Sequence, residues 1–200
     1  MAGFFQYGHW AGSDLNVMLL TMCIHPIDLA ISFFGEVASV QSTLYRSEKD
    51  AISLAVTLQF TSGRWTQMMF DSSQPRIQEK VQISGTWDGG NALAIVDNVQ
   101  RLELHRQCRN GIDFTGDMTA IDPDFDIGDI PMWRPGLRPA QHGPKPTVFQ
   151  GFAGEVREFV NAILEKREPY PGTDDALKAM RVIDAILSNP DGTTHLAPSV

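Results

Sequence analysis

The chain has 200 residues, of which 42% are hydrophobic and 20% are charged, a balance typical of one globular domain with a buried core. Its formal net charge of −8 repels the phosphates of nucleic acids and anionic membrane surfaces, so neither is an expected partner. No signal-peptide pattern opens the sequence, and two cysteines are too few for a disulfide framework. A cytoplasmic location is therefore the default expectation.

Residues 3–13 are rich in glycine and aromatic side chains and are interpreted as an irregular lead-in. A helix is predicted to follow, since Ser13 or Asp14 can cap its start and Gly35 ends it. Polar residues interrupt its apolar run, which argues against a membrane span. Pro26 lacks the N–H that a continuous helix needs, so we expect a kink at that point.

From residue 37 the hydrophobic period changes to two, as in strands that bury one face. Residues 52–60 alternate in this way, Thr61-Ser62-Gly63 makes a turn, and residues 64–70 return as a hairpin partner. Further strands are predicted around residues 81–86, 93–96 and 101–105, with a turn at Asp88-Gly89-Gly90-Asn91. An antiparallel meander with one open face is the expected arrangement.

The last third of the chain changes character twice. Residues 109–148 contain six of the twelve prolines and little periodicity, and a connection of this length is usually functional or disordered. Two amphipathic helices follow, the first over about residues 149–166 and the second from Thr173, a suitable cap. Asp174 and Asp175 suit the positive end of the second helix dipole.

His25 is a titratable ring within the apolar helical segment, and Asp28 follows one turn later on the same helix face. Histidine exchanges protons near neutral pH, so the two side chains could perform acid–base chemistry in a shared pocket. A core histidine held by Asp28 or by a backbone carbonyl gives the same pattern, and the spacing alone favours this structural alternative.

Several common motifs are absent from the sequence. It contains no Gly-x-Gly, no Gly-x-x-x-x-Gly-Lys loop and no Gly-x-Ser-x-Gly turn, so it has no visible means of binding a nucleotide by itself. Asp122–Gly128 has alternating acidic residues, but Ile127 and Trp133 occupy positions where a calcium loop needs glycine and glutamate. The scattered histidines show no metal-ligand spacing, so no metal is expected.

Two separated stretches carry a family resemblance. The first is a glycine-rich lead into the helix and its end, namely Ala11-Gly12-Ser13-Asp14, then Thr21, His25 and Asp28, then Phe34-Gly35-Glu36-Val37. The second is the helical tail, Glu155 to Ile163, Pro169, and Asp174 to Ala185. In this order they resemble the C-terminal domain of the Gfo/Idh/MocA oxidoreductases, the family of glucose–fructose oxidoreductase and inositol dehydrogenase. The resemblance spans nearly all of residues 11–197.

The resemblance implies an α+β fold, in which a large, mostly antiparallel open sheet has helices packed on one face. Residues 1–200 would form this single domain, with residues 109–148 as a proline-rich excursion. Full-length members of the family add a Rossmann domain that binds NAD or NADP and supplies a catalytic lysine. The chain resembles the second domain only and contains no dinucleotide-binding domain.

The resemblance also implies roles for individual residues. His25 would be the catalytic acid–base group. Thr21 stands where the family has a catalytic aspartate, but a hydroxyl does not carry the negative charge of a carboxylate. Asp28 could orient the His25 ring instead. The pocket for the substrate, a sugar or polyol, would be lined by His9 and Trp10 of the lead-in and by Trp133 and Arg134 of the proline-rich excursion. Trp133 and Arg134 could equally pin their own loop.

The family's second domain begins with a strand ahead of the glycine-rich lead. Met1 to Phe5 is too short to supply much of that strand, so one sheet edge is expected to be exposed or paired with another chain.

Two functions stay open at this point. The first is the substrate-side domain of an NAD(P)-dependent sugar or polyol oxidoreductase, whose Rossmann domain lies on a separate chain or was lost by truncation. The second is a non-catalytic binding or assembly module that forms a homo-oligomer through its open sheet. The missing Rossmann domain and Thr21 favour the second function, whereas the retained His25 and Asp28 favour the first.

Overall fold

The computed structural model describes residues 1–8, 14–74, 78–87, 90–98, 101–106, 132–133 and 152–197. Its helical elements are α1 (Leu15–Met18), a π-helical turn (Leu19–Cys23), α2 (Ile24–Phe34), α3 (Phe152–Glu165) and α4 (Thr173–Ser188). Its strands are β1 (Ala2–Gly8), β2 (Val37–Arg46), β3 (Ile52–Phe60), β4 (Trp65–Asp71), β5 (Gln78–Trp87), β6 (Gly90–Asp97), β7 (Arg101–Arg106), β8 (Met132–Trp133) and β9 (Thr193–His195).

Within these described ranges the strands form one sheet in the order β8-β7-β6-β5-β1-β4-β3-β2-β9. Strands β1 and β4 run parallel, and the remaining neighbours pair antiparallel. The prediction of a large, mostly antiparallel sheet in an α+β fold is therefore confirmed. The predicted hairpin between β3 and β4 also forms, and Gly63 takes the positive φ of 75° that its turn requires.

Strand β1 corrects two expectations about the start of the chain. Residues 3–8 are not an irregular lead-in, and Met1 to Phe5 does not leave a sheet edge open, because β1 lies in the middle of the sheet between β4 and β5. Gly3 faces the core, where an added Cβ would lie 3.0 Å from Phe34 Cζ. Glycine at position 3 therefore allows an aromatic ring to pack closely against the strand, and it does not mark an irregular segment.

The core lies between the sheet and the helices α2 and α4. Helix α2 packs against α4, and α4 packs against β2. Their apolar side chains meet the inward residues of β2, β3 and β4, and the Phe34 ring lies 5.3 Å from the ring of Phe60. The other face of the sheet carries exposed residues, which include Phe4, Trp65 and Met69. The predicted placement of the helices on one face is therefore confirmed for the described helices α2 and α4.

The kink expected at Pro26 stays a prediction, but a π-helical turn over Leu19–Cys23 lies shortly before it. The N–H of Ile24 donates to the carbonyl of Leu19, five residues back, so the helix is widened directly before His25. The combined segment Leu15–Phe34 is long and apolar enough to cross a membrane, but half of it is buried in the domain. This burial identifies it as a core helix of the domain.

The two C-terminal helices form close to where the sequence predicts them. Helix α4 begins at Thr173, but its cap is Gly172 rather than Thr173, and the Gly172 N–H donates to Asp175 Oδ2 at 3.0 Å. Helix α3 buries Ala162 but leaves a stripe of large apolar side chains between 46% and 75% exposed, namely Val156, Phe159, Val160, Ile163 and Leu164.

Most of the predicted excursion over residues 109–148 lies outside the described residues, and β8 is the described part of it. The single-domain organisation over residues 1–200 stays a prediction.

Candidate functional site

A cavity of about 730 Å³ opens between helix α2 and the inner face of strands β1, β5, β6 and β7. This volume lies in the range that small-molecule sites occupy. Apolar side chains line most of it, and polar groups gather near the start of α2, where His25, Tyr7 and Glu79 border the same space. The cavity is therefore amphipathic along its length.

His25 reaches the cavity because of its position on α2. His25, Leu29 and Phe33 are spaced by four residues, so they form one stripe on the helix, and all three line the cavity. The neighbouring stripe, which includes Ile27, Ala30 and Phe34, is buried in the core. The His25 ring is exposed rather than enclosed. The structural alternative of a buried core histidine is therefore wrong.

Tyr7 and Glu79 form the second polar group of the cavity. They face each other across the β1–β5 pair, and the Tyr7 hydroxyl donates to Glu79 Oε1 at 2.5 Å. Burial, followed by the hydrogen bond to Glu79 and its charge, raises the pKa of Tyr7 well above its usual value. The phenol therefore stays protonated at neutral pH, and its donor is committed to the carboxylate.

The sequence analysis missed Tyr7 and Glu79. The signal was the alternation of Gly3, Phe5 and Tyr7, which marks the inward positions of a strand, but the glycines of the lead-in obscured it.

Thr21 and Asp28 lie beside His25 in the sequence but not in the described lining of the cavity. Thr21 is exposed, and its hydroxyl donates to the carbonyl of Val17 at 2.6 Å. Asp28 is half-buried, and no hydrogen bond between it and His25 is found among the described residues. Burial, and then the charge of Asp175, raises the pKa of Asp28, while His25 lowers it. Asp28 therefore interacts electrostatically with Asp175 of α4 and with His25. That Asp28 orients the His25 ring stays a prediction.

The four residues predicted to line a substrate cannot be placed against this cavity. His9, Trp10 and Arg134 lie outside the described residues, and Trp133 is described only as backbone in β8. Cys23 is buried behind the cavity, and burial raises the pKa of its thiol, so this cysteine stays protonated and unreactive. Within the described ranges no cluster of three His, Cys, Asp or Glu side chains could hold a metal ion.

Comparison with protein families identifies the domain. The Gfo/Idh/MocA profile, described as the C-terminal alpha/beta domain of an oxidoreductase family, matches residues 9–190. The chain belongs to the Gfo/Idh/MocA oxidoreductase family. None of the curated protein sequences matches the chain significantly.

Solved structures of dehydrogenases share the fold of this Gfo/Idh/MocA domain. A dehydrogenase from Chromobacterium violaceum is 24% identical, with a TM-score of 0.72 over 94% of this chain and 52% of its own. Levoglucosan dehydrogenase in complex with NADH is 14% identical, with a TM-score of 0.70 over 100% of this chain and 59% of its own.

A structure described as a myo-inositol dehydrogenase from Sinorhizobium meliloti is 16% identical, with a TM-score of 0.64 over 98% of this chain and 56% of its own. The chain thus spans little more than half the length of these structures.

The starts of α1 and α4 in the Gfo/Idh/MocA domain do not fit the diphosphate of NAD(P). A helix start with free backbone N–H groups is a common site for such a group. At the start of α1 the N–H groups of Asn16 and Val17 donate to the carboxylate of Asp14, and at the start of α4 Asp175 accepts from Gly172. Both helix starts therefore already hold a negative charge that would repel a phosphate.

Proposed function

We propose that the chain is the substrate-side domain of an NAD(P)-dependent oxidoreductase that acts on a sugar or polyol. The observation that supports this most directly is His25, exposed at the polar end of a cavity of suitable size in a Gfo/Idh/MocA domain. The names of two structural neighbours, a levoglucosan dehydrogenase and a myo-inositol dehydrogenase, are consistent with this substrate class. We place the protein in the cytoplasm, where NAD(P) is available.

In this proposal His25 exchanges a proton with the hydroxyl that is oxidised. An exposed imidazole at the cavity end can accept that proton in the oxidation and return it in the reverse direction. Thr21, one turn before His25, has a hydroxyl oxygen that can still accept a hydrogen bond from a substrate. Asp28 supports His25 through its charge rather than through direct contact.

In this proposal the nicotinamide cofactor is held mainly by another domain, and the capped starts of α1 and α4 support this because they do not suit its diphosphate. A Rossmann domain, on a separate chain or in a longer form of this protein, would complete the enzyme. His9, Trp10, Trp133 and Arg134 are proposed to complete the substrate contacts. No metal takes part in the proposal.

The test follows the His25 ring by NMR while sugars and polyols are added to the full chain. We expect at least one of them to shift the His25 signals and to leave those of His195 on β9 unchanged. His25→Ala should abolish the binding of that ligand, and His195→Ala, the matched control, should preserve it. Calorimetry with NADH or NADPH should give no binding heat. Tight nucleotide binding, or no His25 shift across a broad panel, would refute the proposal.

A second candidate function is a non-catalytic module that assembles through the open face of the sheet. Phe4, Trp65 and Met69 are 38%, 45% and 40% exposed there on the neighbouring strands β1 and β4. Exposed apolar groups of this kind are typical of protein interfaces. Light scattering separates the two functions: an oligomer that Trp65→Lys dissociates favours assembly, whereas a monomer at high concentration excludes it.

A further inference from the structure

The inner face of the sheet is mostly apolar, but the described helices bury only about half of it. Under the helices, Leu54, Val56 and Leu58 of β3 are at most 2% exposed. Beyond β1 the same face continues as a less buried strip that we call the β5–β7 trough, formed by Val81, Ile83, Ala92, Ala94, Val96 and Leu104. All six residues are only half-buried, although their chemistry is that of a core.

Small side chains give the trough its depth. Ala92 and Ala94 are the inward residues at the centre of β6, and Ala92 pairs with Gly85 of β5. Ala94 lies between Ile83 and Leu104 of the two neighbouring strands, whose longer side chains stand on either side of it. This arrangement leaves a concave apolar floor rather than the flat surface that larger residues would make.

The helix supplies the opposite wall of the trough. Leu29 and Phe33 line the same cavity and remain 37% and 48% exposed. They follow His25 at intervals of one helical turn, so the trough extends from His25 along the axis of α2. The polar groups His25, Tyr7 and Glu79 lie at one end of the cavity, and the apolar trough forms the rest.

We propose that the trough binds the apolar part, a phenyl-sized or branched alkyl group, of a substrate whose hydroxyl lies at His25. This inference rests on the proposed function and narrows its substrate class to a sugar or alcohol that carries such a group. An unsubstituted polyol would place hydroxyls against a wall whose described side chains are apolar and offer them no hydrogen-bond partners, which is unfavourable. An apolar group there instead removes both its own surface and the trough from water.

The test compares probes that differ in one group. Methyl and benzyl β-D-glucopyranoside share the sugar, and benzyl alcohol carries the benzyl group without the sugar. The full chain, labelled with ¹³C at its isoleucine methyl groups, reports where each probe binds. Ile83 lies in the trough, and Ile95, on the opposite face of the adjacent strand, serves as the internal control. We expect benzyl glucoside to bind at least tenfold more tightly than methyl glucoside and to shift Ile83 but not Ile95.

Filling the trough provides the second arm. Ala94→Leu should remove the preference for the benzyl group and leave the affinity for methyl glucoside unchanged. Ile95→Val, on the outer face of the same strand, is the matched control and should preserve the preference. Circular dichroism verifies that both variants are folded, and the Ile83 shift in the unmodified chain decides the matter even if Ala94→Leu does not fold.

The outcomes separate this inference from the proposed function. If both glucosides bind equally at His25, the trough proposal is overturned and the sugar proposal survives. If benzyl alcohol shifts Ile83 while neither glucoside binds and the panel of sugars and polyols leaves His25 unshifted, the trough proposal survives and the sugar proposal fails. If neither benzyl compound shifts Ile83, the trough is not a binding site for apolar groups.

Discussion

Replacing Gly3 by alanine tests the placement of β1 at the centre of the sheet. The added Cβ would lie 2.9 Å from Phe5 Cε2, 3.0 Å from Phe34 Cζ and 3.1 Å from Phe34 Cε2. Carbon atoms attract best at about 3.5–4.0 Å, so all three contacts are repulsive. Neither ring can retreat easily, because Phe5 and Phe34 are each 1% exposed and Phe34 also packs against Phe60.

Overpacking of this kind costs about 1–3 kcal/mol. Alanine returns about 0.4–1 kcal/mol, because it restricts the unfolded chain more than glycine does. We therefore expect Gly3→Ala to lower the free energy of unfolding by about 1–2 kcal/mol. For a domain of this size the melting temperature should fall by about 2–8 °C.

Thermal and urea unfolding followed by circular dichroism measure the effect. Gly154→Ala in helix α3 is the matched control, since its Cβ would meet no atom of the described residues within 4 Å, and it should be neutral or stabilising. In a Phe34→Leu background, which removes two of the three clashing atoms, Gly3→Ala should cost at least about 0.5 kcal/mol less. A neutral or stabilising Gly3→Ala in the unmodified chain would refute the central placement of β1.

Three further predictions follow from other residues. The buried hydroxyl of Thr66 has no hydrogen-bond partner among the described residues, so Thr66→Val should raise the free energy of unfolding in urea by about 1 kcal/mol, and a loss would reveal a partner outside them. Burial raises the pKa of Asp28, so its stabilising contribution is complete below the unfolded value of about 3.9 and is lost as the pH rises through the folded value. The free energy of unfolding of Asp28→Asn, relative to that of the unmodified chain, should therefore rise as the pH increases from about 4 to about 7. Urea titrations measure this difference, and a constant difference would contradict the prediction. Leu164 is 75% exposed on α3, so Leu164→Gln should cost less than about 0.5 kcal/mol in a thermal melt, and a larger loss would mean that the stripe is covered in solution.

The sequence predicted most of the sheet because its strands have clear local signals. Residues 52–60 alternate strictly and become β3, and the turn at Thr61-Ser62-Gly63 fixes the register of β4 against it. The helix stripes around His25 and after Thr173 were likewise visible at the helical period. These features depend on neighbours in sequence, which a pattern can show.

The features that were missed depend on contacts between distant residues. Strand β1 exists because β4 and β5, more than sixty positions away, both pair with it, and no local pattern reveals such partners. The Tyr7–Glu79 pair and the trough follow from that placement. Thr173 was predicted as the cap of α4 because its side chain suits the role, but the Gly172 N–H and the Asp175 carboxylate perform it.

The position of β1 also has a consequence for the order in which the cavity assembles. Ala2 pairs with Trp65 on one side and with Ser84 on the other, so β1 is the seam between two antiparallel halves that form largely from local hairpins. Both partners of β1 are distant in sequence, and distant pairings are slower to form than local ones, so we expect β1 to pair after the hairpins on either side of it. Helix α2 packs with one half, and the trough belongs to the other. We therefore expect the pairing of the seven-residue strand β1 with both halves to be the step that brings His25 to the trough.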